Sequence, residues 1–201
     1  MAVCAQVFLV MHTRSVNGES VVRGIVETVS YFTVLTNLMV VIVLNAAAQR
    51  ADRANDEGEV DADAGGFLTR PETMTAVAVY IAVVGLTYSL LLRSIWNPTG
   101  LQLVVDRALH DAVPVLYVLY WLIFVPKRGL RWSQPLWWLI YPAAYCVYSL
   151  VFGMVTGKYM YWFVDPTGLG WPKVLAHLAV LFACFLLLGE IAVGVGRLRR
   201  G

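Results

Sequence analysis

The segment Tyr31-Phe32-Thr33-Val34-Leu35-Thr36-Asn37-Leu38 sets two hydroxyls and an amide among hydrocarbon side chains. Steps of three and four place Thr33, Thr36 and Asn37 on one helical face. Later in the chain, His110, Pro114 and Tyr117 share a face by the same rule. Pro114 has no N–H to offer the carbonyl one turn back, so a polar backbone group is freed beside that imidazole. A threonine hydroxyl is a weak nucleophile that needs an adjacent base. An imidazole with an ordinary pKa of about 6.5 is suited to that task. A Thr33–His110 pair would therefore attack an ester carbonyl, with His110 protonating the departing alkoxide. Thr36 or Asn37, about a turn further on, would donate to the developing oxyanion. Asp111 neighbours His110, but adjacent helix positions point about 100° apart. Tyr148, Asp165 and His177 are the better candidates to orient the imidazole or to line a polar pocket, and Arg93 could hold a substrate carboxylate.

These groups must be carried by membrane helices. Of 201 residues, 59% are hydrophobic and 14% charged, against about 45–50% and about 25% in soluble domains. With a mean hydropathy of +0.68, an ordinary soluble domain, a disordered chain and a nucleic-acid-binding module are all excluded. The net charge of +2 does not call for a polyanionic partner. Cys4, Cys146 and Cys184 lie far apart and form no CxxC pair, so neither zinc nor a disulfide framework is indicated. No metal and no cofactor enters the expected chemistry.

A span needs about 20 apolar residues, and Thr28–Ala48, Thr73–Leu92, Leu103–Val125, Leu136–Met154 and Trp171–Val195 satisfy that. The shorter apolar piece Met1–Met11 reads as the second half of a truncated helix. A signal peptide is the rival reading, but the basic n-region and cleavage site are missing. The expected fold is thus an all-α polytopic bundle, a single membrane domain over 1–201 with six helices, the first incomplete. Residues 50–70, rich in Asp and Glu, read as a flexible acidic loop rather than a calcium site. The helix-end tryptophans form an interfacial belt. Nine Lys/Arg on one side against six on the other favour cytoplasmic termini. Helices two, four and six run in the same sense, so a rise of about 1.5 Å per residue puts Thr33, His110 and His177 each about 8–10 Å below their helix starts. One leaflet therefore collects most of the polar side chains.

Structural readings compete for each residue taken singly. Thr33 could bond its own backbone, Asn37 could join helices, and Arg93 could reach the headgroups. Two other functions would use the same residues. One is non-catalytic lipid binding or small-solute transport through the polar pocket, and the other is bis-histidine haem ligation by His110 and His177.

The stretch from Tyr31 to Leu38, with His110 and Pro114 later, resembles the bacterial branch of the androgen-induced and androgen-dependent TFPI-regulating transmembrane proteins. The resemblance implies six helices and hydrolysis of fatty acid esters of hydroxy fatty acids by a membrane Thr and His. Carried over, these are Thr33, which follows Phe32, and His110, which precedes Pro114. Two departures stand out. Thr36 occupies the position where the family has Asn or a similar residue, with Asn37 one later, and the His-to-Pro spacing is one residue shorter. Thr36 is thereby an alternative nucleophile. The expected partners are the bilayer of a bacterial inner membrane and a fatty acyl ester, with no nucleic acid.

Overall fold

The computed structural model describes residues 2–57 and 66–198, and every regular element among them is helical. Five helical rods are long and apolar enough to cross a bilayer: Phe32–Arg53, Pro71–Leu92, Gly100–Phe124, Gln134–Thr156 and Trp171–Leu198. They carry exposed Leu90, Leu116, Ile123, Val155 and Leu187 on their outer faces, which only a hydrocarbon surround makes favourable. The chain is a multi-pass integral membrane protein.

The apolar N-terminal piece is α1, Ala2–Val16, a helix of 15 residues. It turns at Gly18, whose φ of +66° favours glycine, into α2, Val21–Val29, a helix missing from the sequence-based expectation. Ser20 caps it, its Oγ accepting from the Arg23 N–H at 3.3 Å. Gly24 lets the two helices approach, since a Cβ there would lie 2.8 Å from Arg14 Cγ.

Helix α3, Phe32–Glu57, starts four residues later than hydropathy suggests. The reason is local: the Ser30 N–H bonds the Val26 carbonyl at 3.1 Å and its Oγ donates to the same carbonyl at 2.6 Å, closing α2 first. At its far end α3 runs on through Gln49–Glu57, so the first part of the expected acidic loop is helical. Ala46-Ala47-Ala48 and the Ala, Arg and Gln that follow are helix formers. The rest of that expected loop, 58–65, lies outside the described residues.

Helix α4, Pro71–Thr87, is the central rod, buried almost continuously from Met74 to Val84. It packs against α3, against α6 (Val113–Phe124) and against α10 (Trp171–Leu198). Helix α5, Gly100–Arg107, runs into α6 through a π-turn at Ala108–Ala112, and α4 ends in another at Tyr88–Leu92. Lys127 closes α6, its Nζ donating to the Trp121, Leu122 and Val125 carbonyls at 2.7, 3.0 and 2.9 Å. A short α7, Gln134–Trp138, leads into α8, Ile140–Thr156, and α9, Pro166–Leu169, precedes α10. Tyrosines tie α8 to α3 and to the junction between α2 and α3. Tyr141 meets Thr36 at 3.2 Å, Tyr145 donates to the Ser30 carbonyl at 3.0 Å, and Tyr148 meets Ser30 Oγ at 2.5 Å.

One buried carboxylate fastens the α1–α2 hairpin to the loop after α8. Glu27 accepts from Arg14 at 2.8 Å, Arg23 at 3.1 Å and Lys158 at 2.7 Å. Burial alone would raise its carboxyl, but hydrogen bonds from Lys158 and Arg23 and the charge of Arg14 hold it below the ordinary value of 4.5. A carboxylate lowered by folding stabilises above its unfolded pKa, and the contribution fades as pH falls through the folded value. In detergent, the thermal midpoint of wild type should exceed that of Glu27→Gln by a constant margin from about pH 7 to about pH 5, and the margin should close in stronger acid.

Candidate active site

Thr33 is the second residue of α3, not a residue one and a half turns down, because the helix begins at Phe32. The first four N–H groups of a helix have no partner within it, and here tyrosines take up two of them, Tyr145 the Phe32 N–H and Tyr161 the Thr33 N–H. Tyr161, in the loop between α8 and α9, is in hydrogen-bonding range of both the side chain and the backbone of Thr33. Burial raises the Tyr161 phenol to about 12, so it remains a protonated donor at neutral pH.

His110 lies within the π-turn of the Gly100–Phe124 rod. Its Nδ1 is 3.0 Å from the Asp106 carbonyl and 3.3 Å from Asp106 Oδ1. With two acceptors on Nδ1, the proton belongs there, and Nε2 is left as the basic nitrogen. Tyr88 stacks on the imidazole with centroids 4.0 Å apart and planes 15° apart, and its hydroxyl donates to Asp106 Oδ2. Asp106, 3% exposed, thus holds both rings. It was missed in the sequence although it sits four residues before His110, the spacing that shares a helical face.

The π-turn also explains Asn37. Val113 gives its N–H to Ala108 and Pro114 has none, leaving the Leu109 carbonyl without a helical donor. Asn37 Nδ2 donates to it at 3.3 Å and to the Thr33 carbonyl at 2.8 Å. Gly85 of α4 permits the distorted turn to pack closely, since a Cβ there would lie 3.2 Å from the His110 carbonyl. The carbonyl freed by proline is therefore the one before His110, because the turn is wound by five residues rather than four.

Thr33, Tyr88, Asp106, His110 and Tyr161 all line one cavity of about 730 Å³, roofed by residues of α1 and α2 and bordered by Arg14, Glu27 and Lys158. Thr33, Tyr88 and Tyr161 also line a smaller apolar cavity of about 70 Å³. The other sequence candidates fall elsewhere. Thr36 is fully buried and bonded to Tyr141, and the Asn37 amide is spent on two carbonyls, so neither lines these cavities as an oxyanion donor. Arg93 pairs with Asp111, bonds Ser89 at 3.2 Å and lies over the Tyr88 ring. Tyr148 is taken up by Ser30 and Asp165 caps α9, accepting from the Thr167 N–H at 2.8 Å. His177 meets the Phe163 carbonyl at 3.0 Å and lines neither cavity, so it does not face His110 across them. Among the described residues, no three His, Cys, Asp or Glu side chains converge on a metal position.

Replacing Asn37 by Leu leaves the Leu109 carbonyl without a donor, which costs about 1–3 kcal/mol in a dry site. Unfolding in detergent should register that loss for Asn37→Leu, while Asn37→Gln, which keeps the donor, should lose less.

Compared with models of known protein families, with curated proteins and with solved structures, the chain matches none of them.

Proposed function

We propose that this protein is an intramembrane hydrolase of fatty acyl esters, with Thr33 as nucleophile and His110 as general base and acid. The observation that carries the reading is that a hydroxyl at a helix N-terminus and an imidazole pinned through Nδ1 open onto one cavity. Their family resemblance, to hydrolases of fatty acid esters of hydroxy fatty acids, points the same way.

In the reaction, Thr33 Oγ bonds to the ester carbonyl carbon as His110 Nε2 takes its proton. The oxyanion forms beside the Tyr161 hydroxyl at the start of α3, a donor of the kind worth about 10²–10³ in rate. The carbon–alkoxide bond then breaks and the alkoxide leaves with the proton held by His110. Water, deprotonated in turn by His110, attacks the acyl-enzyme, and the Thr33 oxygen departs and regains a proton. The products are a carboxylic acid and an alcohol. Asp106 and Tyr88 touch no reacting atom in this scheme and serve to position the imidazole.

The Lys/Arg bias supports cytoplasmic termini, and the resemblance to the bacterial branch of the family supports an inner-membrane location. In that orientation the large cavity faces away from the cytoplasm.

A fluorophosphonate should label wild type, and Thr33→Ala should lose the label together with about 10³-fold or more of its esterase activity. Equal labelling of both would remove Thr33 from the mechanism. Retained binding of a fatty acyl ester without turnover in the wild type would instead favour a lipid-binding protein.

A further inference from the structure

The two cavities at Thr33 differ in chemistry. The large one holds His110, Asp106, Gln102, Glu27 and Lys158, whereas the small one is walled by Phe163, Leu181, Phe182 and Phe185. His110 lines only the large one. An ester held at Thr33 must place its leaving oxygen on the side of the group that protonates it. Its acyl chain then has only the apolar cavity to occupy.

Resting on the hydrolase reading, we propose that the small cavity is the acyl subsite and admits straight acyl chains, while the large cavity accepts alcohols of varied size. The volumes set the selectivity. A cavity of about 150 Å³ accommodates benzene, so 70 Å³ holds the first few carbons of a linear chain and has no room for a branch beside the carbonyl. Rigid side chains border this throat, with Tyr88, Phe163 and Phe185 all buried. Its half-buried edge is formed by Cys146 on α8 and Phe182 on α10, two helices whose outer faces meet lipid. A longer chain leaves the throat between these two residues and continues into the bilayer. Ser149, buried and in hydrogen-bonding range of Tyr145, also lies on this wall.

The test uses detergent-solubilised full-length protein and paired p-nitrophenyl esters, a linear acyl group against its α-methyl-branched isomer, with Thr33→Ala as the blank. Wild type should prefer the linear ester by about tenfold or more, the scale on which one misplaced methyl is rejected. Phe182→Ala, which widens the throat, should reduce that ratio severalfold by raising turnover of the branched ester. Cys146→Phe, which narrows it, should depress both acyl esters while leaving the ranking of alcohol groups in an acetate series unchanged. Thr33-dependent turnover with a ratio that neither variant moves would overturn the subsite assignment and leave the hydrolase reading standing. Turnover equal to that of Thr33→Ala for every ester would overturn both.

Discussion

Inside a bilayer no water is present to satisfy a freed carbonyl, and the arrangement at Leu109 depends on that constraint. The π-turn diverts the Val113 N–H and Pro114 supplies none, so the donor must come from another helix. Asn37 provides it, and the same amide holds the Thr33 carbonyl. A single side chain therefore links the start of α3 to the turn that carries His110. Without it the Leu109 carbonyl would be left unpaired in a dry site, at a cost of about 1–3 kcal/mol.

A second layer of polar contacts sets the direction of the imidazole. Asp106 reaches His110 because the two are four residues apart, and it reaches Tyr88 because Gly85 lets α4 pack against the same turn. Two π-turns in adjacent rods thus face each other through a stacked Tyr–His pair. Such turns are rare and gather at functional sites. Outside the rods, Glu27 binds cationic groups from α1, α2 and the loop after α8, which seats the hairpin over the larger cavity.

The helical bundle was legible in the sequence because about 20 apolar residues in a row have few alternatives, and all five long rods overlap the expected stretches. Thr33 and His110 were legible as polar residues in apolar runs. Thr36 and Asn37 shared their face, yet sequence spacing carries no information on which neighbour meets that face. Tyr141 claims Thr36, and backbone carbonyls claim Asn37. Asp106 was hidden because attention falls on the carboxylate next to a histidine, Asp111, which instead pairs with Arg93 and Arg107. Helix α2 escaped because a nine-residue amphipathic segment leaves little trace in a hydropathy window set for spans.

If Thr33 and His110 act as one unit, their removal is not additive. The direct measurement is a double-mutant cycle on esterase rate with Thr33→Ala, His110→Ala and the combined variant, each checked for native unfolding behaviour. The account predicts that the double variant is no slower than the slower single one. Losses that multiply would show the two side chains working independently and would contradict a shared catalytic site.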